Sequence, residues 1–204
     1  KEIEKTFRCP VIESYGMTEA SHQMTSNHLP PGKRKAIKAG FAAGPEVTIM
    51  GANNHILESG KIGEIVIRGD NVTKGYINNS KANKDSFVDG WFRTGDQGFF
   101  DSEGFLQLTG RIKEIINKGG EKISPLEIDD AIMKHESVFQ GITFPIFHNK
   151  LGEEVAAAIV LKNNHQLTEL ELKEFLSKIL ASFKIPQTIV FLDEIPKGKT
   201  GKLQ

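Results

Sequence analysis

Four stretches hold residue types that chemistry uses. In "ESYGMTEA", Glu13–Ala20, Tyr15 and Gly16 let a backbone approach a flat ring, and Thr18 and Glu19 set a hydroxyl beside a carboxylate. That pair suits a phosphate with its Mg2+, an ion that takes one or two carboxylates and leaves its other positions to phosphate and water. A capped loop accounts for the same letters. In "GWFRTGDQG", Gly90–Gly98, a glycine ahead of Asp96 frees the backbone so that one carboxylate can take two vicinal hydroxyls. A plain Thr-Gly-Asp turn is the alternative. "GRIKEIINKGGEKISP", Gly110–Pro125, offers the planar donor fork of Arg111 and a flat backbone at Gly119-Gly120, or else a surface hairpin turning at those glycines. "PKGKTGK", Pro196–Lys202, has nothing with which to build a core and reads by itself as a solvated tail.

Other chemistries are excluded. The 204 residues carry 26 basic and 26 acidic side chains, so no net field gathers nucleic acid or an anionic membrane. The single cysteine, Cys9, rules out an internal disulfide framework and fits a reducing compartment. No apolar run approaches the roughly 18 residues of a membrane span. The "GKT" at Gly198–Thr200 lacks the earlier glycine of a phosphate-binding P-loop, and no HExxH or CxxC spacing argues for zinc. The N-terminus has neither an initiator Met nor a signal-like apolar region, and opens as a segment of something longer would.

The elements that must position these residues fall into two textures. Up to about Gly110 short strands are broken by glycine: "EVTIM" (Glu46–Met50), "EIVIRG" (Glu64–Gly69) and "GFLQLTG" (Gly104–Gly110). Alternation puts Val47 and Ile49, then Ile65 and Ile67, on one face. Turns are signalled at Asn53-Asn54, Ser59-Gly60 and Asp89-Gly90. Strands without intervening helices suggest a small barrel or sandwich. After Gly110 the pattern is mixed. Ser124, Pro125 and Glu127 read as a capping box with proline at the first helical position, and Thr168 with Glu171 repeats the device. Leu172, Phe175, Leu176 and Ile179 form a core stripe. "EEVAAAIVLK" and "TIVFLDEI" read as strands. The expected fold class is α+β: residues 1–110 a β-rich, barrel-like subdomain, and residues 111–204 a small mobile α+β domain.

Taken in order, "ESYGMTEA … GEIVIRGDNVTKGYINN … DGWFRTGDQGFF … GRIKEIINKGGEKISPLEID … PKGKTGK" resembles the later core motifs of the adenylate-forming acyl-CoA synthetases, the AMP-binding superfamily. The likeness spans essentially the whole chain. More narrowly, "ESYGMTEASHQMTSN" and "NKGGEKISP" resemble the oxalate–CoA ligases of peroxisomal type. The resemblance implies the C-terminal portion of an enzyme that joins a carboxylic acid to CoA at the expense of ATP, with Mg2+, by way of an acyl-AMP. Residues 1–110 would end the large AMP-binding domain and need the upstream part of their own chain. The isolated segment would be inactive.

By resemblance Glu13, Ser14, Tyr15, Gly16, Met17 and Thr18 form the nucleotide loop, Tyr15 and Gly16 on the adenine side and Thr18 at phosphate. Glu19 holds Mg2+, Asp96 and Arg111 take the ribose hydroxyls, and Lys113 marks the hinge. The backbone at Lys118, Gly119 and Gly120 lines the pantetheine channel. His22 faces the acid, where a donor would suit a small dicarboxylate such as oxalate. Lys202 reaches the α-phosphate and the attacking carboxylate, which gives the glycines around it a purpose. The chain departs from the family over Thr143–Val155, where Pro145, Phe147, His148 and Leu151 replace its usual residues. Two rivals stand beside the ligase: a non-catalytic nucleotide- or CoA-binding fragment, and an adenylation module with another acceptor. The implied location is intracellular, peroxisomal or cytoplasmic.

Overall fold

Glycine punctuation and alternating apolar residues shape the first half of the chain into short antiparallel strands. The computed structural model describes residues 2–198, and the chain divides into two units, Lys1–Ile112 and Lys113–Gln204. In the first unit a short helix α1 (Glu2–Phe7) precedes a ribbon of two-residue strands, β1 (Ser14–Tyr15), β2 (Thr25–Ser26) and β3 (Phe41–Ala42), paired in that order. A five-stranded sheet follows, made of β4 (Glu46–Met50), β5 (Gly63–Arg68), β6 (Phe87–Val88), β7 (Trp91–Phe100) and β8 (Leu106–Arg111). Helix α2 (Ser80–Ser86) lies between β5 and β6. β7 is the hub, since β5, β6 and β8 all pair with it while β4 pairs with β5. A bridge between Gly40 and Leu106 joins the ribbon to the sheet.

Register explains the core of this unit. Val47 pairs with Ile67 and Ile49 with Ile65, so the alternating residues stack. Ile49, Ile65 and Ile67 are buried. The β6–β7 turn is Asp89-Gly90, both with positive φ (47° and 81°), the two-residue turn whose twist matches a hairpin. The stretch around Asp96 is not a turn. It runs inside β7, with a register shift between Glu64 and Val66 of the facing strand.

The second unit is α+β. Strands β9 (Ile116–Lys118) and β10 (Glu121–Ile123) form a hairpin closed by Gly119-Gly120. Helix α3 (Pro125–Ile132), strands β11 (Val138–His148) and β12 (Gly152–Leu161), helix α4 (Glu169–Ser177) and strand β13 (Thr188–Phe191) follow. The sheet order is β10-β9-β12-β11, with β13 parallel to β12 and β11 outermost. Ile128 and Ile132 of α3, Leu172 and Leu176 of α4, and Val155, Ala157 and Ile159 of β12 close one core. Among the described residues no helix is long and apolar enough to cross a membrane.

One expected cap forms and one does not. Thr168 accepts from the Glu171 N–H while the Glu171 side chain accepts from the Thr168 N–H, a complete capping box. At α3 the Ser124 side chain makes no cap hydrogen bond, although Pro125 does open the helix. Lys184 Nζ, 57 residues away, takes both oxygens of Glu127, at 2.6 and 2.7 Å, and the glutamate does not close a box.

Candidate functional site

The first unit folds its tyrosine–glycine stretch into a tight loop. A Cβ on Gly16 would sit 1.4 Å from the His22 carbonyl oxygen, so only glycine lets the chain double back there. The Met17 carbonyl accepts from the N–H groups of Ala20 and His22, and the Met24 N–H donates to the Tyr15 carbonyl. Ser21 and His22 both take left-handed φ, 52° and 72°. Ala20 and Met24 anchor the loop in a core cluster against which Tyr15 and Met17 pack. The single helical turn Thr18–Ala20 leaves Thr18 exposed and Glu19 half-buried, and His22 is exposed.

Glu13, Ser14 and Met17 have structural surroundings. Glu13 accepts at Oε2 from Asn27 Nδ2, a side chain only 2% exposed that also donates to the carbonyls of Lys35 and Lys38. Ser14 pairs with Ser26 across the ribbon. Met17 lies against the core.

Three of the residues singled out by sequence meet at one carboxylate. Asp96 of β7 pairs with Arg111 of β8. Arg111 Nε donates to Asp96 Oδ1 at 2.9 Å, and the Tyr15 hydroxyl donates to Oδ2 at 2.6 Å. Burial, and then the bond to Asp96, push the Tyr15 phenol far above the ordinary tyrosine value, so it stays a donor. An ionised carboxylate has about four acceptor positions, so each oxygen of Asp96 keeps one for another donor.

Sequence reasoning missed what aims Asp96. Glu64 of β5, a nearly buried carboxylate, accepts from Gly95 N–H at 3.1 Å and from Arg93 Nε at 2.8 Å. The Thr94 hydroxyl donates to the Ile65 carbonyl and accepts from the Asp96 N–H. These four contacts pin the irregular register of β7, and a bulge of this kind re-aims a side chain beside a site. The available signal was a charged residue, Glu64, at the start of an otherwise apolar strand.

Glu19 lies in the same unit. Its carbonyl accepts from Thr73 N–H at 2.7 Å and its Oε1 from the Tyr76 hydroxyl at 2.9 Å. Among the described residues no group of three or more His, Cys, Asp and Glu could hold a metal. One carboxylate with an oxygen to spare, beside the Thr18 hydroxyl, fits Mg2+ carried in by phosphates and does not fit an all-protein cage.

The second unit places its candidates separately. Lys113 is exposed. Lys118 bonds Glu154 Oε1 at 2.5 Å and the Phe183 carbonyl at 3.1 Å, so its amine is engaged in structure, and its backbone pairs with Glu121 and Gly152. Gly119 and Gly120 form the exposed tip of their hairpin. Lys202 lies outside the described residues.

Comparison with known proteins gives this geometry a context. Residues 1–77 match the model of the AMP-binding enzymes, and residues 127–202 match that of the AMP-binding enzyme C-terminal domain. The oxalate–CoA ligase of Saccharomyces cerevisiae is 55% identical over 205 residues, covering 100% of this chain and 38% of the relative. The oxalate–CoA ligase of Arabidopsis thaliana is 47% identical over 203 residues, covering 99% and 40%. The o-succinylbenzoate coenzyme A synthetase of Bacillus subtilis, solved with ATP and a magnesium ion, superposes with a TM-score of 0.88 at 33% identity, covering 99% of this chain and 42% of that one. The chain therefore spans about two fifths of the length of these relatives. With both family models matching in order and the strand pair carrying Asp96 and Arg111 in place, the chain belongs to the AMP-binding enzymes.

Proposed function

We propose that the whole protein is an ATP-dependent acid–CoA ligase acting on a small dicarboxylate such as oxalate. The observation that carries this reading is the meeting of Tyr15 and Arg111 on the carboxylate of Asp96. The acceptor positions left on Asp96 take the two ribose hydroxyls of ATP, and a nucleotide so fixed presents its α-phosphate in one orientation. Thr18 donates to phosphate. Glu19 would hold Mg2+, which when bound neutralises phosphate charge. The acid's carboxylate oxygen attacks the α-phosphorus, the bond to the bridging oxygen breaks, and pyrophosphate leaves. Lys202, outside the described residues, stabilises the charge that builds on the α-phosphate. In the second half-reaction the CoA thiol gives up its proton, its sulfur attacks the acyl carbon, and AMP leaves. The backbone at Lys118, Gly119 and Gly120 borders the pantetheine, Lys113 serves as the hinge residue, and His22 contributes a donor towards the acid.

The test uses the complete chain. Oxalate should drive ATP–pyrophosphate exchange and CoA consumption, medium-chain fatty acids should not, and His22→Ala should erase that preference. Asp96→Asn should raise the KM for ATP about ten- to a hundredfold, the worth of hydrogen bonds to a charged acceptor. Exchange without CoA consumption would assign another acceptor, and ATP binding without exchange would make the protein a nucleotide binder. A peroxisomal or cytoplasmic address, expected from the oxalate branch, is read by microscopy of the tagged complete chain.

A further inference from the structure

We propose that Tyr76 is a positioning residue for Glu19: its hydroxyl holds one carboxylate oxygen so that the other is presented to a metal-bound triphosphate. The proposal rests on the reading of Glu19 as the metal carboxylate. The Tyr76 hydroxyl donates to Glu19 Oε1 at 2.9 Å across 57 residues of sequence. The ring is 37% exposed, so Tyr76 is not there to fill a core.

The loop that carries Tyr76 is fixed at both ends. Asn71 Nδ2 donates to the carbonyls of Ala20 and Gln23, at 2.9 and 3.2 Å, and Ser21 Oγ donates to the Asn71 carbonyl at 3.2 Å. With Thr73 N–H on the Glu19 carbonyl, the loop is stitched to the backbone on either side of the Glu19 side chain. At the far end the Asn83 amide clamps Tyr76, accepting from its N–H at 2.7 Å and donating to its carbonyl at 3.0 Å. Asn83 belongs to α2, a helix capped by Asn79 through Ala82 N–H. Rigidity thus runs from α2 through Asn83 and Tyr76 to the Glu19 carboxylate.

The choice of donor matters chemically. A half-buried glutamate left alone samples several rotamers, and ordering it costs entropy when a ligand arrives. A hydroxyl on one oxygen meets that cost in advance, as outer partners of metal ligands do. A lysine or arginine in its place would compete with the incoming cation, whereas the neutral phenol leaves the carboxylate its full charge. A phenol is protonated at neutral pH, so the hydroxyl serves as the donor.

The experiment measures binding of Mn2+ to the complete chain with saturating ATP, read by the electron paramagnetic resonance of the free ion, with ATP affinity without metal as the control. Tyr76→Phe should weaken Mn2+ binding about tenfold, the low end of the range for outer-shell partners, and leave metal-free ATP affinity unchanged. Glu19→Gln should weaken it further, and the double variant should be no worse than Glu19→Gln alone. Asn83→Ala, which keeps the hydroxyl but frees the loop, should shift Mn2+ affinity in the same direction. In ATP–pyrophosphate exchange the Mg2+ requirement should rise by a similar factor. Unchanged Mn2+ affinity in Tyr76→Phe, with Glu19→Gln impaired, overturns the role of Tyr76 and leaves that of Glu19 standing. No effect of Glu19→Gln overturns the underlying reading. Equal loss of ATP binding with and without metal makes Tyr76 a structural tie only, which also overturns the proposal.

Discussion

Asp129, on the inner side of α3, is a carboxyl held where ionisation is costly. Burial pushes its pKa up to about 6, opposed by the nearby Thr143 and helped by the charges of Asp130 and Glu114. Its Oδ1 has no hydrogen-bond partner among the described residues. Because the folded-state pKa lies above the unfolded value of 3.8, the fold favours the protonated acid. That contribution is complete below the unfolded pKa and is lost as pH rises through about 6. The second unit should therefore be less stable at pH 7.5 than at pH 5, by about 1.4 kcal/mol from this group. Asp129→Asn should remove that dependence and raise the urea midpoint at neutral pH; an unchanged pH profile in the variant would assign the loss to other groups. Sequence offered no hint of this behaviour, because burial at Asp129 is set by elements packed against α3. The same blindness hid the contacts at Asp96, whose tyrosine partner is 81 residues away in the chain.

Elements were readable wherever the deciding partner was local. The capping box at Thr168 and Glu171 closes within one helical turn, and the strands Glu46–Met50 and Thr188–Phe191 follow from their own letters. At Ser124 the expected box does not form, and Glu127 pairs instead with Lys184, 57 residues away. The bulge in β7 was hidden for a similar reason: Glu64, which pins it, sits 31 residues from Gly95. The loop from Tyr15 to Met24 belongs with the readable features, because its glycine announces a close approach that the His22 carbonyl supplies. Gly16→Ala would drive a methyl into that backbone oxygen, and no flexible side chain can yield. The expected outcome is a loss of several kcal/mol in urea denaturation together with loss of ATP binding by the complete chain. An alanine variant of ordinary stability that bound ATP normally would show that the loop can open without consequence.

At the scale of the molecule each unit builds its core from its own residues. The core of the second, from Ile116 to Ile189, is drawn wholly from its own residues. Expressed alone, Lys113–Gln204 should unfold cooperatively in urea, and a broad transition would deny it domain status. The first unit leaves Phe7, Leu29, Ile37 and Ile77 exposed, apolar surface that the upstream part of a longer chain is expected to cover. The role proposed for Lys202 also belongs to this scale, since it needs the nucleotide of one unit and the tail of the other. In the complete protein Lys202→Ala should abolish ATP–pyrophosphate exchange while sparing thioester formation from supplied acyl-AMP. Equal damage to both steps would refute that division. The outer strand β11 has its own consequence. It is 11 residues long and irregular in register near Val138, and it carries the exposed Pro145, a residue with no N–H to offer a neighbour. Two copies meeting edge to edge along β11 would find the ladder broken in mid-strand at Pro145, which disfavours pairing there.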